Sequence, residues 1–102
     1  MAGPEKKVEN LIKSELKRLG IWSFKLAASE MMAPGIPDII ACVNGKFVGI
    51  EVKAPGKLYN TSPAQKVQHE LIRKSGGTVI VTDDFEDFLV KINEVLNGRV
   101  RK

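Results

Sequence analysis

The dipeptide Asn44-Gly45, set between two apolar runs, constrains the fold of this chain more than any other feature. Asparagine and glycine both tolerate the positive φ angles that a two-residue type I′ turn requires. The dipeptide therefore predicts a β-hairpin with strands over residues 37–43 and 46–54. Counting outward from the turn places Asp38 opposite Glu51 and Pro37 opposite Val52.

The two faces of this predicted hairpin differ sharply in character. Side chains alternate between the faces of a strand, so six apolar residues share one face: Ile39, Ala41, Val43, Val48, Ile50 and Val52. Asp38, Glu51 and Lys53 share the other face. Like charges directly opposite on a sheet destabilise it by roughly 0.2–1 kcal/mol, whereas Mg²⁺ and Mn²⁺ bind hard oxygen ligands of this kind. The pattern predicts a divalent-metal site with the lysine aimed at it.

The remaining elements surround this hairpin. Helical apolar spacing predicts a helix over residues 5–19 and a last helix capped by Asp84, and residues 21–27 and 78–82 are predicted strands. Ser62, Pro63 and Gln65 form a capping-box pattern that begins a further helix, which is expected to end near Lys74. A strand that follows a crossover helix is expected to lie parallel to its neighbour. The order predicts an α/β fold around a mixed four-stranded sheet.

Composition limits the class of protein without deciding it. The chain has 102 residues, which is the size of one domain, and a net charge of +4, which is compatible with a polyanionic partner. Its single cysteine, Cys42, excludes an internal disulfide and suits a reducing compartment. No segment approaches the roughly 20 apolar residues of a membrane span. We expect a cytoplasmic protein that makes no membrane contact.

These motifs resemble those of a known nuclease family. Pro37-Asp38 followed by Glu51-Val52-Lys53 on the next strand resembles the signature of the PD-(D/E)xK nuclease superfamily. The chain is similar, more narrowly, to the VRR-NUC (virus-type replication-repair nuclease) family, over nearly its whole length. The matching segments are KKVENLIKSELKRLG, GIPDII, FVGIEVKAPGKLYNTSPAQ and the following helix that ends in GG. The resemblance implies a restriction-endonuclease-like αβββαβ core in one domain over residues 1–102.

The resemblance also implies metal-dependent hydrolysis of DNA, with Mg²⁺ or Mn²⁺ as the cofactor. Asp38 and Glu51 would bind the metal, with the backbone carbonyl of Val52 and, through the first helix, Glu9 as further ligands. Lys53 would orient or deprotonate the attacking water, or stabilise the developing negative charge; the sequence leaves these roles open. Gln65 would hold a water or phosphate near Lys53.

Several of these residues also have ordinary structural explanations. Gln65 completes a capping box whatever else it does, and Glu9 is one of several acids on the first helix, which are commonly solvated charges. His69 lies one turn after Gln65, where a lone histidine is more often a surface residue or a satisfied core residue. Cys42 is expected to be a small packed side chain.

The expected partner is DNA, which needs cations beyond the metal. Phosphate contacts are assigned to basic residues after the hairpin and on the crossover helix: Lys57, Lys66, Arg73 and Lys74. Nothing resembles a base-reading module, so we expect recognition of branched DNA such as Holliday junctions rather than of sequence. One site cuts one strand, and small nucleases of this family resemble two-fold resolvases, so we expect a homodimer. The alternative is a nucleic-acid-binding module with a vestigial nuclease site.

Overall fold

The computed structural model describes residues 3–27, 32–58 and 60–98, which form three helices and one four-stranded sheet. The chain order of helix, three strands, helix, strand and helix is the predicted one. The elements are α1 (Pro4–Arg18), β1 (Trp22–Lys25), β2 (Ile39–Val43), β3 (Lys46–Val52), α2 (Pro63–Lys74), β4 (Thr78–Thr82) and α3 (Phe85–Leu96).

The sheet has the strand order β1-β2-β3-β4, with the first three strands antiparallel and β4 parallel to β3. The hairpin turn has the expected geometry, with φ of 52° at Asn44 and 80° at Gly45. Val43 pairs with Lys46 and Ile39 with Ile50, which confirms the register counted from the turn. This is the mixed α/β sheet of a restriction-endonuclease-like core.

The six apolar hairpin residues form the centre of the core, as predicted. Each is at most 2% exposed, and α1 and α3 cover them with further apolar side chains: Val8, Ile12, Leu16, Phe88, Ile92 and Val95. The opposite sheet face is covered in part by α2. A Cβ on Gly49 would lie 2.8 Å from the Pro37 ring and 3.6 Å from Ile72 of α2, so the missing side chain permits this close approach.

Both hairpin strands are shorter than predicted at the end away from the turn. β2 begins at Ile39 rather than residue 37, because Pro37 has no N–H to donate and the side chain of Asp38 takes the N–H of Val52. β3 ends at Val52 rather than residue 54. β1 spans Trp22–Lys25 rather than residues 21–27, although the N–H of Leu26 still donates to the carbonyl of Asp38. Within the described ranges, no helix is long and apolar enough to cross a membrane.

Candidate active site

Asp38 and Glu51 meet where β2 begins and β3 ends. Oδ2 of Asp38 accepts a hydrogen bond of 2.8 Å from the N–H of Val52, which holds the aspartate against the neighbouring strand. Glu51 is only 3% exposed. The hairpin register therefore brings two acids together on the sheet face opposite the main core.

Burial and the neighbouring acid change the protonation of Glu51. Burial, then hydrogen bonding to Asp38 and the charge of Asp38, raise the pKa of Glu51 to about 8, although the charge of Lys53 opposes this. Two carboxylates this close cannot both ionise cheaply in a buried setting. A cation placed between them would remove the repulsion.

The donor set at this position fits a hard divalent cation. Mg²⁺ is commonly held by one or two carboxylates together with waters and substrate phosphates, so Asp38 and Glu51 suffice although the described residues contain no group of three His, Cys, Asp or Glu side chains that could hold a metal. Oε1 of Glu51 is buried without a hydrogen-bond partner. Pro37 offers no N–H to the carbonyl of Val52, so this oxygen is a further candidate ligand.

Lys53 and Gln65 are joined directly. Nζ of Lys53 donates to Oε1 of Gln65 at 2.6 Å. The same oxygen accepts from the N–H of Ser62, and the Ser62 hydroxyl accepts from the N–H of Gln65, so the predicted capping box is present. Gln65 thus caps the first turn of α2 and also restrains the side chain of Lys53. A lysine has three N–H donors, which leaves Lys53 able to bind a further oxygen near Glu51.

His69 is neither a surface residue nor a satisfied core residue, contrary to the sequence-based expectation. It is 3% exposed, and its Nε2 lies 3.6 Å from Oε1 of Glu51, too far for a hydrogen bond. Burial lowers the pKa of His69, and the charges of Arg73 and Lys53 lower it further. The imidazole is therefore held neutral beside Glu51.

The structure does not group Glu9 with Asp38 and Glu51. Glu9 is buried and forms ion pairs of 2.7 Å with Lys6 and 2.8 Å with Lys25. Burial would raise the pKa of Glu9, but hydrogen bonds from Lys25 and Lys6 outweigh this and lower it. The acid of α1 whose charge contributes to the raised pKa of Glu51 is instead Glu5, one turn earlier. The sequence contains both acids on one side of the helix and does not choose between them.

The four basic residues assigned to DNA all have exposed side chains. Lys57 lies just beyond β3 in the turn that follows Lys53, and Lys66 directly follows Gln65 on α2. Lys74 lies 4.0 Å from Glu70, a long and exposed pair. Arg73 lines a cavity of about 540 Å³ between β4 and α3, on the side of α2 that faces the sheet edge. Cys42 is exposed rather than packed, because α2 does not extend over its part of the sheet.

Three comparisons with known proteins bear on this site. No family model matches the chain. A protein of Acyrthosiphon pisum secondary endosymbiont phage 1 named "Putative nuclease p44" is 32% identical over 92 residues, which cover 87% of this chain and 95% of that protein. A solved structure described as a VRR_NUC domain superposes with a TM-score of 0.67 at 25% identity, covering 97% of this chain and all of the other.

Proposed function

The chain belongs to the VRR-NUC family of PD-(D/E)xK nucleases, and we propose that it is a Mg²⁺- or Mn²⁺-dependent endonuclease that hydrolyses phosphodiester bonds in branched DNA. The observation that carries the proposal is the contact between Asp38 and Glu51 on one sheet face, with Lys53 beside them and held by Gln65. The other buried acid among the described residues is Glu9, which is paired with lysines instead.

Each residue of the site has a physical role in this proposal. Asp38, Glu51 and the carbonyl of Val52 would hold the cation, which when bound supplies charge neutralisation and a bound water of lowered pKa. Lys53 would act on the attacking water or on the charge that develops on the phosphate. Gln65 keeps the lysine in place through the 2.6 Å hydrogen bond. Glu9 pairs with Lys6 and Lys25, so it would act as a further ligand only by leaving these lysines.

Exposed cations around α2 would bind the phosphate backbone. Lys57 follows Lys53 by four residues and Lys66 directly follows Gln65, so both lie near the site. Arg73 and Lys74 extend the basic surface along α2. Contacts of this kind position DNA without reading its sequence. Binding should therefore weaken steeply with salt while cleavage depends on DNA shape.

A panel of labelled DNA substrates tests the function. Wild-type protein with Mn²⁺ or Mg²⁺ should cleave four-way junctions, flaps or splayed arms in preference to a plain duplex. Asp38→Ala should bind the same DNA and cleave none of it, because the metal site loses one of its two carboxylates. Glu15→Ala is the matched control, since Glu15 is an α1 acid that pairs with Arg18 away from the site.

Two results would contradict this assignment. Wild-type protein that binds branched DNA but leaves it intact in either metal would favour the binding module with a vestigial site. Cleavage by Asp38→Ala at the wild-type rate would place the active site elsewhere.

We further propose that the nuclease is a homodimer, because an uncovered apolar surface supports pairing with a second copy. Trp22, Cys42 and Phe47 are paired across three strands, and so point to one side of the sheet, with Phe24 beside them and Leu71 of α2 lining a groove with Phe47. The four large side chains are 45–61% exposed. These five residues, the β1 surface, include no charge, so two copies can face each other without repulsion despite the net charge of +4. A surface that binds DNA would need basic residues, which these five residues do not supply.

Light scattering tests the dimer. Wild-type protein should have twice the mass of one chain, and Trp22→Glu should have the mass of a monomer, because a charge at the centre of an apolar interface is desolvated without a partner. Val90→Glu is the matched control, since Val90 is equally exposed, at 61%, but lies on α3. A monomeric wild type, with or without a four-way junction, would refute the dimer.

A further inference from the structure

Helix α2 lies across β3 so that successive turns of the helix meet successive outward residues of the strand. Gln65 contacts Lys53, His69 faces Glu51, and Ile72 packs against Gly49. Four residues of a helix advance about 6 Å, and two residues of a strand advance about 6.6 Å, so the two spacings nearly match. The helix therefore brings one side chain to each residue of the site.

His69 and Glu51 are the part of this arrangement that is incomplete. Nε2 of His69 and Oε1 of Glu51 are both buried, both lack a hydrogen-bond partner, and lie 3.6 Å apart. Their side chains are each 4% exposed. Among the described residues these are the only buried side-chain nitrogen or oxygen atoms without a hydrogen-bond partner. Native folds rarely leave such atoms unpaired, and a shift of about half an ångström would join the two in a hydrogen bond of ordinary length.

We infer that His69 is a positioning residue for Glu51: its Nε2–H donates to Oε1 and orients the carboxylate so that the other oxygen is directed toward the cation site beside Asp38. The inference rests on the proposed metal-dependent function. Groups that bind a metal are commonly held by a hydrogen bond from a residue behind them. Gln65 has the same relation to Lys53, so α2 would restrain both Glu51 at the end of β3 and Lys53 just beyond it.

The inference requires a particular tautomer of the neutral imidazole. Only the form with the proton on Nε2 can donate to Oε1 of Glu51, and when the carboxylate is ionised the other form would place two acceptors against each other. A ring retained only for packing has no requirement for either tautomer.

Two substitutions separate positioning from packing. His69→Leu removes the donor and keeps an apolar side chain, whereas His69→Gln keeps an N–H donor of similar reach. Calorimetric titration of DNA-free protein with Mn²⁺ should show binding 10–100-fold weaker in His69→Leu and close to wild type in His69→Gln. Gln68→Leu is the matched control, since Gln68 is the half-buried neighbour of His69 on α2 and should bind Mn²⁺ as the wild type does.

The opposite pattern would overturn the inference. If His69→Leu binds Mn²⁺ with wild-type affinity and changes only the thermal stability measured with chelator present, His69 is a packing residue. If both variants lose affinity equally, the hydrogen bond is not what matters. Circular dichroism of each variant shows that the comparison is made between folded proteins.

Nitrogen-15 NMR of the imidazole in metal-free protein gives a readout that does not depend on metal binding. At a pH above 8, where Glu51 is ionised, the wild type should show the Nε2–H tautomer, and its Nε2–H signal should move in Glu51→Gln. A proton on Nδ1, or a signal indifferent to Glu51→Gln, would overturn the inference. Wild-type protein that binds no Mn²⁺ would refute the proposed metal dependence, whereas the NMR result would separately decide the contact between His69 and Glu51.

Discussion

Glu51→Gln is expected to be more stable than the wild type near pH 8 and inactive as a nuclease. Burial and Asp38 raise the pKa of Glu51 from 4.5 to about 8, so between these values the folded protein holds a proton that the unfolded chain has lost. The free energy of unfolding of metal-free wild type then falls as pH rises, by at most about 1.4 kcal/mol per pH unit. Glutamine has nearly the same shape and no charge to bury.

The groups that face Glu51 define the window for this measurement. Four groups surround it: Asp38 just before β2, Lys53 just after β3, His69 on α2 and Glu5 on α1. The pKa of His69 is lowered from 6.5, which gives a slope of opposite sign below that pH. Urea unfolding with chelator at pH 6.5 and at about pH 8 should therefore show the advantage of Glu51→Gln increasing with pH.

The loss of function in the same variant has a separate cause. Wild-type protein should gain thermal stability from Mn²⁺, because a ligand that binds only the folded state stabilises it by mass action. Glu51→Gln should lose this gain and all cleavage. Glu70→Gln, which changes an exposed acid of α2, serves as the control for both measurements. A stability difference independent of pH would show that the pKa of Glu51 is not raised in the folded protein, and retained cleavage would exclude Glu51 as a ligand.

Lys53→Ala is expected to separate catalysis from metal binding. A protonated lysine has no lone pair for a cation, so the variant should keep the Mn²⁺ stabilisation and bind branched DNA about as well as wild type. Its cleavage rate should fall at least ~10²-fold, the usual scale for one electrostatic or acid–base group. Single-turnover cleavage at saturating DNA measures the rate, and filter binding measures the affinity.

Two further variants sharpen the result for Lys53. Lys53→Arg keeps the charge, but the planar guanidinium is larger than the ammonium group that Gln65 holds, and it cannot act as a base. This variant should therefore be nearly as inactive as Lys53→Ala. Lys46→Ala is the control, because Lys46 is an exposed lysine at the other end of the same strand. Cleavage by Lys53→Ala at close to the wild-type rate would refute a catalytic role for this lysine.

Much of the fold could be predicted because its signals are local. Asn44-Gly45 determines the turn through φ angles that few residues adopt, and the turn in turn determines that Asp38 meets Glu51. Ser62 and Gln65 form a capping box within four residues of sequence. The strand ends were less predictable, since the side chain of Asp38 takes a backbone N–H that the sequence pattern assigns to the sheet.

The sequence alone determined which face of the hairpin is buried, because the alternation of apolar and polar residues depends only on the two-residue repeat of a strand. The contacts between segments that are distant in the sequence were decided by tertiary structure. How far α2 lies along β3 is set by packing of Ile72 against Gly49, and this placement buries His69 beside Glu51 and leaves Cys42 exposed. The partner of Glu9 was likewise decided by the fold, since Lys25 reaches it from β1. Turns, caps and strand faces are determined by residues that are neighbours in the sequence, whereas contacts between elements depend on how whole helices and strands pack.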